Sequence, residues 1–223
     1  MTPAKITTID AWLFPLVRGA ASNASFVAAL GPDDAARIAR IGPAIDRDRS
    51  VCARVAARVE LGRRLRMPAR LVPLAGFGAP HVIGHVTTVS WSHSGDWLAL
   101  AIADELDVGI DIERAPDRFD VSALVDLAVG SLEEFVGLEA ASKATACAYN
   151  GAWPPGVSVR RLAAPHGYAA AVAAPGHDWH VELHMRSPLE PVEQTGAPSL
   201  SAQQVTVTVR SDPSPQPRTV PCS

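Results

Sequence analysis

Apolar residues alternate with polar ones in several short runs and recur every third or fourth position in others, and these two periods divide the chain into strands and helices. Runs at residues 6–17, 24–30, 88–93, 97–103, 108–113, 157–162, 168–174 and 180–185 read as strands. Helical spacing predicts a short helix over 33–41, opened by Gly31-Pro32, and a long one over 46–67. A third helix is expected over 131–149: Ser131 can cap it, Glu133 and Glu134 fall in its first turn, and alanines fill much of the rest. A short helical stretch is expected near 121–129. From Arg186 onward Pro, Ser, Gln and Thr dominate, which predicts a mostly disordered tail with one alternating run, 203–210, able to form a stray strand.

The runs from 88 to 113 are separated by a Ser94-Gly95-Asp96 turn and a polar Asp104-Glu105 link, so they read as a three-stranded meander. Alternation in the third run sends Ile110 and Ile112 to one face and Asp111 and Glu113 to the other. Two carboxylates side by side on a short, otherwise apolar strand repel each other unless a cation lies between them. Oxygen-only ligands suit Mg²⁺, which takes one or two protein carboxylates and completes its shell with water and substrate phosphates. An edge strand with a polar outer face would carry the same triplet.

In the third helix, a turn of roughly 100° per residue puts Leu132, Val136, Glu139 and Lys143 on one stripe, with Phe135 beside it. A surface Glu–Lys pair at this spacing contributes only about 0.3–0.5 kcal/mol. Here the charges extend the face that should bury, where ionised groups are costly unless paired or metal-bound. Glu139 and Lys143 are therefore functional candidates, on the condition that the helix runs unbroken through Gly137.

Composition narrows the field. The chain has 223 residues, 48% of them hydrophobic, enough for one good core or two small ones, and its net charge of −3 argues against general nucleic-acid binding. Arginines nevertheless crowd residues 47–70. Helical spacing puts Val51, Val55 and Val59 on the apolar side there and most of the arginines on a solvated one. Cys52, Cys147 and Cys222 show no paired spacing and read as reduced thiols. No apolar run has the length of a membrane span and the N-terminus lacks a signal-peptide layout, so a cytoplasmic location is expected; a monomer is a separate expectation. His177, His180 and His184, or His81 with His85, raise the question of zinc, but the 180–184 alternation reads as a solvated strand face. His93, after a strand and before a glycine turn, reads as a phosphate contact.

Three pieces in this order resemble one family: Ser92-His93-Ser94, Gly109-Ile110-Asp111-Ile112-Glu113, and Phe135 through Glu139-Ala140 to Lys143. They are similar to the signature of the surfactin-type 4′-phosphopantetheinyl transferases, the superfamily of the holo-acyl-carrier-protein synthases, and the likeness extends over residues 31–174. The chain departs from the pattern at Ala79 and Leu138, where the family carries Lys, and at Phe135, where it carries Trp. Loss of two positive charges weakens the grip on a polyanion.

The resemblance implies an α+β fold of two similar subdomains related by a pseudo-twofold axis, here 1–106 and 107–186, followed by the tail at 187–223. It implies an enzyme that moves the 4′-phosphopantetheine arm of coenzyme A onto a Ser of an apo acyl or peptidyl carrier protein. Mg²⁺ would be held by Asp111, Glu113 and Glu139, and coenzyme A contacted by Arg58 at the adenosine 3′-phosphate and by Ser92, His93 and Lys143. Glu139 would serve as base and Lys143 would steady the leaving phosphate. Two other readings stay open: a non-catalytic relative that binds coenzyme A or a carrier protein, and an unrelated Mg²⁺-dependent phosphohydrolase.

Overall fold

The computed structural model describes residues 6–76, 80–115, 130–146 and 153–186, and the backbone of 205–209. The fold is mixed α+β and consists of four stacked layers. A seven-stranded sheet has the order β10-β9-β1-β5-β4-β3-β2, and a three-stranded sheet the order β6-β8-β7. In the larger sheet are β1 (Thr7–Pro15), β2 (Leu74–Ala75), β3 (His81–Val82), β4 (Thr87–Ser94), β5 (Trp97–Asp104), β9 (Trp179–Met185) and β10 (Val205–Val209). The smaller contains β6 (Gly109–Arg114), β7 (Val157–Leu162) and β8 (Tyr168–Pro175).

Strand alternation sorts the core. Trp12, Phe14, Leu98, Leu100 and Ile102 face the long helix α3 (Ala44–Leu65), which contributes Val51, Val55 and Leu61. The opposite face of the same strands, Ile9, Ala11, Leu13, Ala99 and Ala101, packs on Ile110 and Ile112 of β6 and Val172 of β8. The alanines here let the sheets approach closely. The far side of the small sheet, Ala169, Ala171 and Ala173, takes helix α4 (Leu132–Thr145) through Val136, Ala140, Ala141 and Ala144. Among the described residues no helix is long and apolar enough to cross a membrane.

Helix α4 starts as expected: the Ser131 side chain accepts from the Glu134 N–H at 3.1 Å, and the helix runs through Gly137. The stray strand near 203–210 forms as β10, paired antiparallel with β9. Three expectations are corrected. Residues 24–30 are not a strand: helix α1 (Ala24–Ala29) forms there because the Asn23 side chain caps Ser25 N–H at 3.0 Å and Phe26 and Ala29, three apart, are the pair that buries. The meander stops after two strands. Both edges of β5 are already taken, by β1 and β4, so β6 passes to the smaller sheet. Nor do the sheets divide at residue 106, because β9 and β10 return to the larger sheet, β9 running parallel to β1. The helix expected near 121–129, Cys147, Cys222 and the rest of the tail lie outside the described residues.

Candidate active site

Strand β6 is an edge of the smaller sheet, and among the described residues it pairs only with β8. Its open edge faces β4, and serines at alternate positions of β4 cover it. Ser90 Oγ accepts from Ile110 N–H at 3.2 Å, and Ser94 Oγ accepts from Arg114 N–H at 3.1 Å. The same row of hydroxyls reaches the carboxylates: Ser92 Oγ donates to Asp111 Oδ1 at 2.6 Å and Ser94 Oγ donates to Glu113 Oε2 at 2.7 Å. A strand edge that would otherwise expose its N–H groups is thus closed by side chains rather than by pairing with another strand.

Helix α4 supplies the third side. Gly109 opens β6 directly beneath it, where a Cβ would lie 2.0 Å from the Ala140 carbonyl oxygen and 2.6 Å from the Ala144 nitrogen. Only a residue without a side chain permits that approach. It brings Lys143 Nζ to 2.6 Å from Asp111 Oδ1 and 3.2 Å from the Ile110 carbonyl. Asp111 is 3% exposed, and its second oxygen, Oδ2, is buried with no hydrogen-bond partner among the described residues.

The charges sense one another. Burial, and then repulsion from Asp111 and Glu139, push the Glu113 carboxyl above its ordinary range, against the opposing Ser94 hydrogen bond and Lys143. Burial and Asp111 likewise raise Glu139, with Lys143 opposing. Three carboxylates that sense one ammonium, and a buried oxygen without a donor, are chemically suited to a hard divalent cation such as Mg²⁺, although among the described residues the three ligand atoms that lie within 4.8 Å of one another are those of Asp10, Glu182 and His184. Asp111, Glu113 and Glu139 are the residues that would hold it.

Asp111, Glu113, Glu139, Lys143 and Ser92 therefore form one group. His93 lies on the opposite face of β4, the face that also carries Trp91, and has Arg49 and Asp46 of α3 around it. Although its side chain reaches solvent, neighbouring protein atoms lower its pKa, and Arg49 and Lys143 add repulsion. His93 stands near the end of β4, on the α3 side.

Arg58 sits elsewhere. It is 4% exposed, with Nε donating to Asp34 Oδ2 at 2.6 Å and Nη1 donating to the Val72 carbonyl at 2.8 Å. Arg54, expected on a solvated helix face, is 2% exposed, paired with Asp34 Oδ1 at 2.7 Å and placed 5.1 Å over the Trp91 ring. The solvated face fails here because Asp34 of α2 (Pro32–Ile38) is itself buried and takes both guanidinium groups. Both arginines line a cleft of about 540 Å³ that also has Arg37, Arg40 and Arg70 in its wall, against Asp33 and Asp34.

Leu138 is 2% exposed, so it fills core instead of leaving a cation's place bare, while Phe135 packs at the edge of the α4 core. Ala79 lies outside the described residues. Cys52 is buried core filler whose thiol is pushed up to about 11 by that burial. The 180–184 face is not solvated throughout: His184 is 7% exposed, stacked on Trp12 at 5.2 Å, and grouped with Asp10 and Glu182. Arg64 of α3 pairs with Asp10 and with Asp104, so this group closes the helix end onto the sheet.

Sequence reasoning missed Ser90 and Ser94, Arg54 and Asp34. The serines had a signal, three hydroxyls at alternate positions of one strand, while the buried Asp34 pairings had none. No protein-family model matches the chain, and no curated protein sequence matches it.

Proposed function

We propose that this chain is a 4′-phosphopantetheinyl transferase, moving the phosphopantetheine arm of coenzyme A to a Ser hydroxyl of an apo acyl or peptidyl carrier protein with the help of Mg²⁺. The observation that carries the reading is the buried, unpartnered Asp111 Oδ2 beside two carboxyls held above their ordinary range. Carboxylates so arranged stabilise a phosphate-bound cation better than they stabilise the empty fold. When bound, Mg²⁺ would offset the pyrophosphate charge.

The residues of the chain divide the remaining work. The carrier Ser oxygen forms a bond to the β-phosphorus of coenzyme A, and the bond from that phosphorus to the bridging oxygen breaks, releasing adenosine 3′,5′-bisphosphate. Glu139 receives the Ser proton, and its raised pKa makes it a better base than a free carboxylate. Lys143 supplies an ammonium for the charge that grows on the leaving phosphate. Supporting the polyanionic substrate is the arginine-lined cleft, an excess of positive charge on a chain whose net charge is −3. The two sheet-and-helix layers, α3 on one sheet and α4 on the other, are where the proposed pseudo-twofold relation would lie.

The test is incubation with coenzyme A, Mg²⁺ and an apo carrier protein, read by mass spectrometry. Mass gain on the carrier supports transfer. Breakdown of coenzyme A without gain would point to a phosphohydrolase, and neither would point to a binding module.

A further inference from the structure

We propose that Ser92 and Ser94 are positioning residues, whose hydroxyls aim the two β6 carboxylates at a shared cation across the seam between the sheets. The inference rests on the cation-assisted reading above and adds to it the device that sets cation affinity.

The two serines differ from ordinary surface hydroxyls in how their atoms are committed. A hydroxyl has one proton to donate. Ser94 Oγ already accepts from Arg114 N–H at 3.1 Å, so its proton goes to Glu113 Oε2 at 2.7 Å, and the hydroxyl cannot turn away without breaking both bonds. Ser92 donates to Asp111 Oδ1 at 2.6 Å, the same oxygen that receives Lys143 at 2.6 Å. With Oδ1 held by two donors, the carboxylate plane is pinned and Oδ2 is the oxygen left over. Both carboxylates therefore have one oxygen tied by a β4 hydroxyl. Outer partners that fix ligand orientation in this way typically change metal affinity by about 10–100-fold when removed.

Ser90 provides the internal comparison. It belongs to the same row and accepts from Ile110 N–H at 3.2 Å, but bonds to neither carboxylate. A purely structural row would make all three serines equivalent. A positioning role separates Ser92 and Ser94 from Ser90.

The experiment is Mn²⁺ binding to the full chain by electron paramagnetic resonance, with a thermal melt on each variant. Ser94→Ala and Ser92→Ala should each weaken Mn²⁺ by about 10-fold or more. Ser94→Thr, which keeps the hydroxyl, should restore binding to near that of the unaltered chain. Ser90→Ala should lower the melting temperature, because Ile110 N–H loses its acceptor, yet leave Mn²⁺ affinity unchanged. Should Ser94→Ala fail to fold, Ser94→Cys keeps the volume with only a weak donor and should show the same loss. Unchanged Mn²⁺ affinity in folded Ser94 and Ser92 variants, or an equal loss in Ser90→Ala, overturns the positioning role alone. Absence of any Mn²⁺ binding by the unaltered chain instead overturns the cation reading and this inference with it.

Discussion

Gly109→Ala tests the contact that builds the site. The added Cβ would stand 2.0 Å from the Ala140 oxygen, 2.6 Å from the Ala144 nitrogen and 2.9 Å from Lys143 Cβ. Comfortable separations are about 3.5 Å, and two of the three opposing atoms are helix backbone that cannot rotate aside. Helix α4 must therefore retreat by roughly 1–1.5 Å, which such overpacking makes cost about 1–3 kcal/mol. In a chain of this size that lowers the melting temperature by about 2–12 °C. The same retreat carries Lys143 Nζ away from Asp111 Oδ1, now 2.6 Å distant, and takes Glu139 with it. Thermal melts and Mn²⁺ titration of the variant should show both losses together. A variant with the original melting temperature and the original Mn²⁺ affinity would refute the close approach and, with it, the assembly of the site around Gly109.

Other outcomes follow from the same geometry. Glu113 and Glu139 have folded-state pKa values above the ordinary 4.5, so the folded chain holds more protons there than the unfolded one; the metal-free protein should lose stability as pH rises from about 4.5 through those raised values. Glu139→Gln should flatten that fall and saturating Mg²⁺ should oppose it, both measurable by denaturant melts across pH. Leu138→Lys should destabilise, by about 2 kcal/mol or more, because it places an ammonium at a position 2% exposed; a gain in coenzyme A affinity with no loss in melting temperature would mean the side chain reaches the cleft. Arg58→Ala leaves buried Asp34 with Arg54 alone and should cost about 3–5 kcal/mol, with equal kinetic losses for coenzyme A and its 3′-dephospho form. Exposed Arg70 should behave oppositely: Arg70→Ala keeps stability and raises the KM for coenzyme A.

Faces were legible in the sequence, and partners were not. Alternation alone placed Asp111 with Glu113 and Ile110 with Ile112, and the Ser131 cap with its acidic first turn placed α4. Period says nothing about which strand a given strand will meet, so β6 was expected beside β5, although β1 had already claimed that edge. The alanines at 24–29 carry little directional hydrophobic signal, and the Asn23 cap decided the helix there. Arg54 looked like a solvated charge and Arg58 like a phosphate contact, because their shared partner, Asp34, lies 20 and 24 residues away in the chain. The carboxylate group was visible as residue types, whereas the serine row that aims it became meaningful only once β4 and β6 were side by side.

The parallel pairing of β1 with β9 ties the seventh residue of the chain to the one hundred and seventy-ninth. During synthesis, β1 must wait with one edge bare until nearly all of the described fold has left the ribosome. Closing so distant a pair is slow, and an apolar edge left open meanwhile invites pairing with a neighbouring chain. A chain stopped before Trp179 would keep every residue of the carboxylate group and still lack the strand that seals β1. Yield and solubility should therefore fall abruptly, not gradually, as C-terminal truncations cross that strand.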